Sequence, residues 1–388
     1  MIQKFYQAPP LSLYIHLPWC LKKCPYCDFN SHEVPASGFE EKRYINTLIS
    51  DLKFELNRID GRKIVSIFFG GGTPSLFLPE SIDQILNLIH TQLNFDLDVE
   101  ITLEANPGAV EAARFREYRA IGVNRLSLGI QSFNNQSLTL LGRIHDANEA
   151  KKAIELSKDA GFENFNLDLM YGLPNQEVDD TLADLEQAVD YLPAHISWYQ
   201  LTIEPNTIFG SKPPQLPSDN VIWSMQEEGQ AFLKKNDFEQ YEISAYAKNN
   251  YTSAHNINYW QFGDYLGIGA GSHGKITSIT NSQIERYVRH KIPARYIELI
   301  NLKSSAVIEK KVIEVGEVPL EFMMNALRLT NGISENLFFE RTGLPLKTIE
   351  KELMTAENMG LLDYRNKKIK PSFQGHRYLN DLLQIFMK

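Results

Sequence analysis

The chain has 388 residues, 43% of them hydrophobic and 22% charged, with a formal net charge of -9. Two or three domains with a large core fit that length, and the acidic balance excludes broad nucleic-acid binding, which rests on basic surface. No apolar run reaches the ~20 residues of a membrane span and residues 1–6 lack a signal-peptide core, so a reducing cytoplasm is expected.

Six apolar, β-branched runs recur in the first half, at 11–16, 64–69, 99–104, 124–128, 164–170 and 196–203. Helical periodicity fills the intervals at 40–57, 81–93, 110–121, 147–160 and 178–191. Gly122 and Gly161 end two of these helices, where a left-handed cap is wanted. This alternation predicts a parallel sheet covered by helices. Polar residues cluster where the runs end. Three cysteines follow the first run, and Gly70-Gly71-Gly72-Thr73-Pro74 follows the second. Glu104 closes the third, Gln131 lies just past the fourth, Asp168 falls late in the fifth and Glu204 ends the sixth. Strand C-terminal ends are where α/β barrels gather their chemistry. The fold class expected is therefore α/β, an open (β/α)6 partial barrel, with a doubly wound open sheet as the alternative.

Residues 1–204 are assigned to that barrel and 205–317 to a linker and barrel extension. Residues 318–388 are assigned to a small winged-helix-like α+β domain. Leading into and through the extension, 204–220 is rich in Pro, Ser and Asn and reads as linker, 220–236 as a helix and 239–246 as one strand. In the last unit, helical spacing at 320–329 and 346–359 precedes a β wing at 361–370, turning at Asn366. Lys367, Lys368 and Lys370 read as a solvated wing rather than a DNA-binding one.

Cys20, Cys24 and Cys27 are the only cysteines. An odd count cannot pair fully, which argues against a disulfide framework. A zinc site closed by His16 or His32 is an alternative, but zinc cysteines usually come from two knuckles and no second one exists. C-x3-C-x2-C suits three corners of an iron–sulfur cubane, for which four thiolates are usual. With no fourth cysteine, one iron is left for a ligand that is not protein. Gly70–Thr73 reads as a loop whose missing Cβ atoms let main-chain groups approach a ligand.

The cysteine motif followed by GGGTP resembles the radical S-adenosylmethionine (SAM) superfamily, in the branch that holds oxygen-independent coproporphyrinogen dehydrogenase and a heme chaperone. The resemblance covers residues 11–388. It implies a [4Fe-4S] cluster on Cys20, Cys24 and Cys27, and SAM chelated at the open iron. Gly71, Gly72 and Thr73 fall in the motif that contacts the methionine end of SAM. Glu104, Gln131, Arg143 and Asp168 match, in order, the polar residues that bind it, and Tyr14 and Tyr26 match aromatic positions beside the cluster. His16 also matches, without an assigned role.

Three features separate carrier from enzyme within the branch. The enzyme's motif continues to a fourth cysteine, where this chain has Asp28-Phe29. The enzyme has a long N-terminal arm, where about ten residues precede Leu11 here. Finally, His255-Asn256-Ile257-Asn258-Tyr259-Trp260 matches the chaperone's HNxxYW motif. Heme iron takes an axial imidazole and its macrocycle favours aromatic neighbours. His255 is thus the expected iron ligand, Tyr259 and Trp260 the expected porphyrin lining, and His273 in the Gly-rich run 267–274 a second candidate. That run lacks the βαβ context of a nucleotide site and reads as a tight turn near the barrel mouth. The resemblance implies heme delivery to apo-hemoproteins, including membrane respiratory clients. Peripheral membrane association and a cluster-supported homodimer follow as expectations, with coproporphyrinogen decarboxylation as the enzymatic alternative.

Overall fold

The computed structural model describes residues 3–59 and 61–387. Six parallel strands, β1 (Leu11–Leu17), β2 (Lys63–Gly71), β3 (Asn94–Ala105), β4 (Arg125–Gln131), β5 (Asn164–Tyr171) and β6 (His195–Gln200), pair in sequence order. Helices α1 (Glu41–Ile59), α2 (Pro79–Gln92), α3 (Phe115–Ala120), α4 (Ala147–Asp159) and α5 (Val178–Asp190) cross over between them. The open six-unit barrel is therefore present.

The strands are less uniformly apolar than their sequences suggest. Leu11, Leu13, Ile15 and Leu17 of β1, like Ile67 and Phe69 of β2, join the core shared with the helices. The alternate positions face the lumen and are largely polar: Ser12 bonds Ser66 there at 2.7 Å, and Asn166 bonds Ser127 at 2.7 Å. Period-2 alternation separates the two faces. Each buried leucine on the helix side contributes about 2 kcal/mol.

Two differences from the sequence expectation concern element boundaries. The stretch 110–121 holds two short helices, Ala109–Ala112 and α3, broken where Arg114 turns to donate to the Leu76 carbonyl. The stretch 239–246 is a hairpin, β7 (Glu239–Glu242) and β8 (Ala245–Ala247), with β8 antiparallel to β6. Between β6 and β7 runs α6 (Asp219–Lys235).

The extension closes on the opposite edge. After α7 (Ala254–Trp260), β9 (Asp264–Ile268) pairs parallel with β1, and β10 (His273–Ser278), β11 (Gln283–Arg289) and β12 (Val307–Val312) continue antiparallel beyond it. The result is one twelve-stranded sheet among the described residues. Fully buried Arg289 on β11 binds Asp51 and Glu55 of α1 at 2.7 to 2.9 Å, a paired and hydrogen-bonded charge cluster. Beside it, the Tyr44 hydroxyl donates to the His16 carbonyl and accepts from the Ala270 amide, each at 2.9 Å. These contacts fix the β9–β10 turn at the mouth, with Gly269 and Gly271 at φ 100 and 80.

The last unit has its own apolar core around Phe322, Phe338, Leu353 and Ile369, into which Phe262 and Ile284 of the extension also insert. Its wing is β14 (Leu362–Arg365) and β15 (Lys368–Pro371), with β13 (Ile333–Ser334) against β15. Asn366 and Lys367 both take positive φ at the turn, as a tight primed hairpin requires.

Candidate functional site

Every barrel strand delivers a residue to the same mouth. Cys20, Cys24, Tyr26, Cys27, Gly71, Gly72, Thr73, Glu104, Gln131, Arg143 and Asp168 line one cavity of about 260 Å³. The three thiols are free and partly buried, and burial pushes those of Cys20 and Cys27 up. Arg143 donates to Cys24 Sγ at 3.5 Å, to Asn106 Oδ1 at 2.7 Å and to the Gly129 carbonyl at 2.8 Å. Its Nε is buried with no partner among the described residues. Three soft thiolate donors, a guanidinium against one of them and a polar cavity on their inner side fit an iron–sulfur cluster with an exchangeable ligand. A closed Cys3His zinc site does not fit. His16 uses Nδ1 with the Tyr14 hydroxyl and Nε2 with the Asn30 carbonyl, and His32 Nε2 reaches the Lys291 carbonyl.

The glycine loop, which lines the cavity, also has a packing reason for its glycines. The Gly71 amide already donates to Glu104 Oε2 at 3.1 Å, and the Gly72 and Thr73 amides donate to the Leu17 and Trp19 carbonyls at 2.8 Å. A Cβ on Gly71 would stand 2.6 Å from the His16 ring, and one on Gly72 2.6 Å from the Trp19 carbonyl oxygen. The glycines let the loop pack against the end of β1 and the cysteine segment.

The acidic residues sit in a low-dielectric interior. Burial, reinforced by Asp168, raises Glu104 to about 7, while the Gly71 amide and Arg125 pull the other way. Asp168 is likewise raised by burial, although Asn166 and Ser127 donate to it at 2.8 and 3.1 Å. Gln131 sits at a bulge in β4 with φ 70, an uncommon conformation for a residue with a side chain, and accepts from the Tyr199 hydroxyl at 2.8 Å. Tyr26 packs on Phe209 at 6.4 Å between ring centres.

Asn106, Ser127, Asn166 and Tyr199 belong to this constellation and were missed in the sequence. Three of them lie two or four residues from a predicted site residue or its strand register, on the same lumen face: Asn106 after Glu104, Asn166 before Asp168, and Ser127 before Gln131.

A second, larger cleft of about 1060 Å³ opens beside the first and shares Gly71, Glu104, Lys23 and Phe29 with it. Tyr14, Tyr259, His273 and Lys291 are among the residues that line it. The HNxxYW residues divide among three places. Tyr259 faces the cleft, stacked on Tyr265 at 4.3 Å. His255 is 4% exposed beneath it, stacked on Phe68 at 4.8 Å, with Nδ1 3.0 Å from Ser66 Oγ. Burial lowers its pKa to about 3, helped by Arg125. Trp260 points away, into the core of the C-terminal unit, with the Arg328 guanidinium 4.2 Å from its ring centre. The helix α7 is pinned in the lumen: Glu100 accepts from the amides of Ala254 and His255, and Asn258 donates to Ser12 Oγ and the Asp264 carbonyl.

An open (β/α)6 barrel with three cysteines on the first loop, a glycine turn after the second strand and this polar rim defines a radical SAM protein. The Radical SAM superfamily model matches residues 14–188, and the HemN C-terminal domain model matches 316–377. In structure the chain is similar to the coproporphyrinogen III oxidase HemN of Escherichia coli, with a TM-score of 0.82 over 98% of this chain and 90% of that one at 21% identity, a likeness of fold. In sequence it is 47% identical to the heme chaperone HemW of Haemophilus influenzae and 45% identical to that of Escherichia coli, each over 98% of this chain and 99% of the relative. A mouse protein, radical S-adenosyl methionine domain-containing protein 1, mitochondrial, is 33% identical over 96% of this chain and 86% of its own. The chain belongs to the HemW family of radical SAM proteins.

Proposed function

We propose that this protein is a heme chaperone, which takes heme into the cleft beside the cysteine pocket and passes it to apo-hemoproteins. The observation that carries the reading is that cleft. It is large, lined by Tyr14, Tyr259, His273 and Lys291, and adjoins the cysteine pocket, with which it shares Gly71 and Glu104. A flat anionic metallomacrocycle needs these features: aromatic faces, an imidazole and a cation. The names of the curated relatives support the same reading.

In this reading Cys20, Cys24 and Cys27 hold a [4Fe-4S] cluster. When bound, it would supply an open iron for the amino and carboxylate groups of SAM and a source of single electrons. Glu104 receives the SAM amino group, Arg143 its carboxylate, and Asp168 and Gln131 the ribose side, with Gly71, Gly72, Thr73 and Tyr26 shaping the pocket. His255 and His273 are the imidazoles near the cleft that are candidates for iron. The protein is placed in the cytoplasm, on the membrane surface where clients are membrane hemoproteins, and as a homodimer when the cluster is loaded. No described helix is long and apolar enough to cross a membrane.

The test is anaerobic reconstitution followed by hemin titration, with transfer to an apo-hemoprotein followed at the client's Soret band. Saturable binding and transfer are expected. Absence of hemin binding by the reconstituted protein overturns the proposal. So does decarboxylation of coproporphyrinogen with SAM and a strong reductant, which would make the protein the enzyme instead.

A further inference from the structure

Five histidines stand at or near the large cleft, and the structure distinguishes among them; His32 turns Nε2 to the Lys291 carbonyl at 3.2 Å. His16 has both ring nitrogens engaged, by the Tyr14 hydroxyl and the Asn30 carbonyl. His255 is buried with Nδ1 on Ser66, on a helix pinned by Glu100 and Asn258. His290 accepts the Ile292 amide on Nδ1 at 3.2 Å. His273 is exposed on the cleft wall, and no residue among the described ones hydrogen-bonds its ring.

Resting on the reading of heme carriage above, we propose that His273 is the axial ligand of the heme iron, with a propionate directed toward Lys291 at the rim. The ring is presented by a rigid turn. Ala270 is held through its amide by Tyr44 and through its carbonyl by Asn30, and Ser272 Oγ donates to the Gly269 carbonyl at 2.8 Å. Desolvation, with Arg286, keeps the imidazole below its ordinary pKa against the opposing pull of Glu309, so the neutral form that can donate a lone pair dominates near pH 7. Exposed Phe29, Ile292 and Ile308 give the entrance an apolar border. Binding is a ligand exchange. An imidazole nitrogen lone pair replaces the water or chloride on ferric iron, and no oxidation state changes.

Hemin is titrated into the reconstituted full-length protein, His273→Ala and His255→Ala, with Soret position and ferric electron paramagnetic resonance as readouts. Thermal melts confirm that each variant is folded. His273→Ala is expected to weaken hemin binding about tenfold or more and to change the spin-state signature, and free imidazole is expected to restore that signature. Unchanged affinity and spectra in His273→Ala overturn the assignment while leaving heme carriage standing. Wild-type protein that binds no hemin overturns heme carriage itself.

Discussion

The hydroxyl of Tyr241 lies 2.8 Å from Nε2 of His195 and completes a hydrogen-bond chain that runs through the lumen from Asp168 to the start of α7. Asn166 donates to Asp168 and accepts from His195 Nδ1 at 2.6 Å, and the Tyr241 oxygen accepts the amide of Ser253, the N-cap of α7. One tautomer of neutral His195 satisfies every link, and burial holds its pKa well below the ordinary value. Asp168 and the helix carrying His255 and Tyr259 are thereby tied through consecutive side chains.

Tyr241→Phe removes one link and leaves the ring packing in place. A loss of about 1–2 kcal/mol in global stability is expected. Amide exchange should accelerate in residues 253–260 more than in the β5 strand. Uniform acceleration across both segments, or none, would show that the chain does not anchor α7.

Glu104 gives the site a pH dependence with a definite sign. Its folded pKa is raised to about 7 by burial and by Asp168, above the ordinary carboxylate value of 4.5. The folded state therefore keeps a proton that the unfolded state has lost between those values. Its contribution to stability is fully present below pH 4.5 and is lost as pH rises through 7. Glu104→Gln keeps an acceptor for the Gly71 amide and removes the titration. Between pH 5 and pH 8, wild-type protein without cluster should lose stability relative to Glu104→Gln, by about 3 kcal/mol at most. Urea midpoints at the two pH values measure this. A constant difference between the two proteins would mean that Glu104 is ionised throughout.

The barrel was legible because its strands are local: each runs six or more residues with a buried apolar face, and each is followed by a helix with its own periodicity. The cysteine spacing and glycine turn were legible for the same reason. The extension was harder. β9 joins the sheet by pairing Leu13 with Leu266, a contact across the whole barrel that leaves no local pattern in either segment. The missed polar residues, Asn166 and Asn106, differ. Alternation from Asp168 and Glu104 places them on the lumen face, so the signal existed once the inner face was known to be polar. HNxxYW was recognised as a unit, yet a seven-residue helix presents its side chains in several directions, and packing alone decides that Tyr259 meets the cleft while Trp260 does not.

Gly71 and Gly122 share a left-handed backbone, at φ 120 and 108, and differ in surroundings. A Cβ on Gly122 meets nothing within 4 Å, whereas one on Gly71 meets the His16 ring. Gly122→Ala should cost about 1–2 kcal/mol, the strain alone. Gly71→Ala should cost about 2 kcal/mol more, because His16 must give up its bonds to Tyr14 and Asn30. Equal losses in chemical denaturation would mean that the loop yields without disturbing His16.

Trp260 separates a structural from a ligand-binding role within the motif. Its ring packs in the C-terminal unit under the Arg328 guanidinium, on the side of α7 away from the cleft. Trp260→Ala removes a large partly buried surface and a cation–π contact, and should destabilise the protein by about 2–4 kcal/mol. Protease nicking between the barrel and the C-terminal unit should increase. Hemin affinity of the folded variant should stay within about twofold of wild type, since a remote packing residue leaves the cleft contacts intact. Loss of hemin binding at a temperature where Trp260→Ala is still fully folded would place the indole against the porphyrin after all.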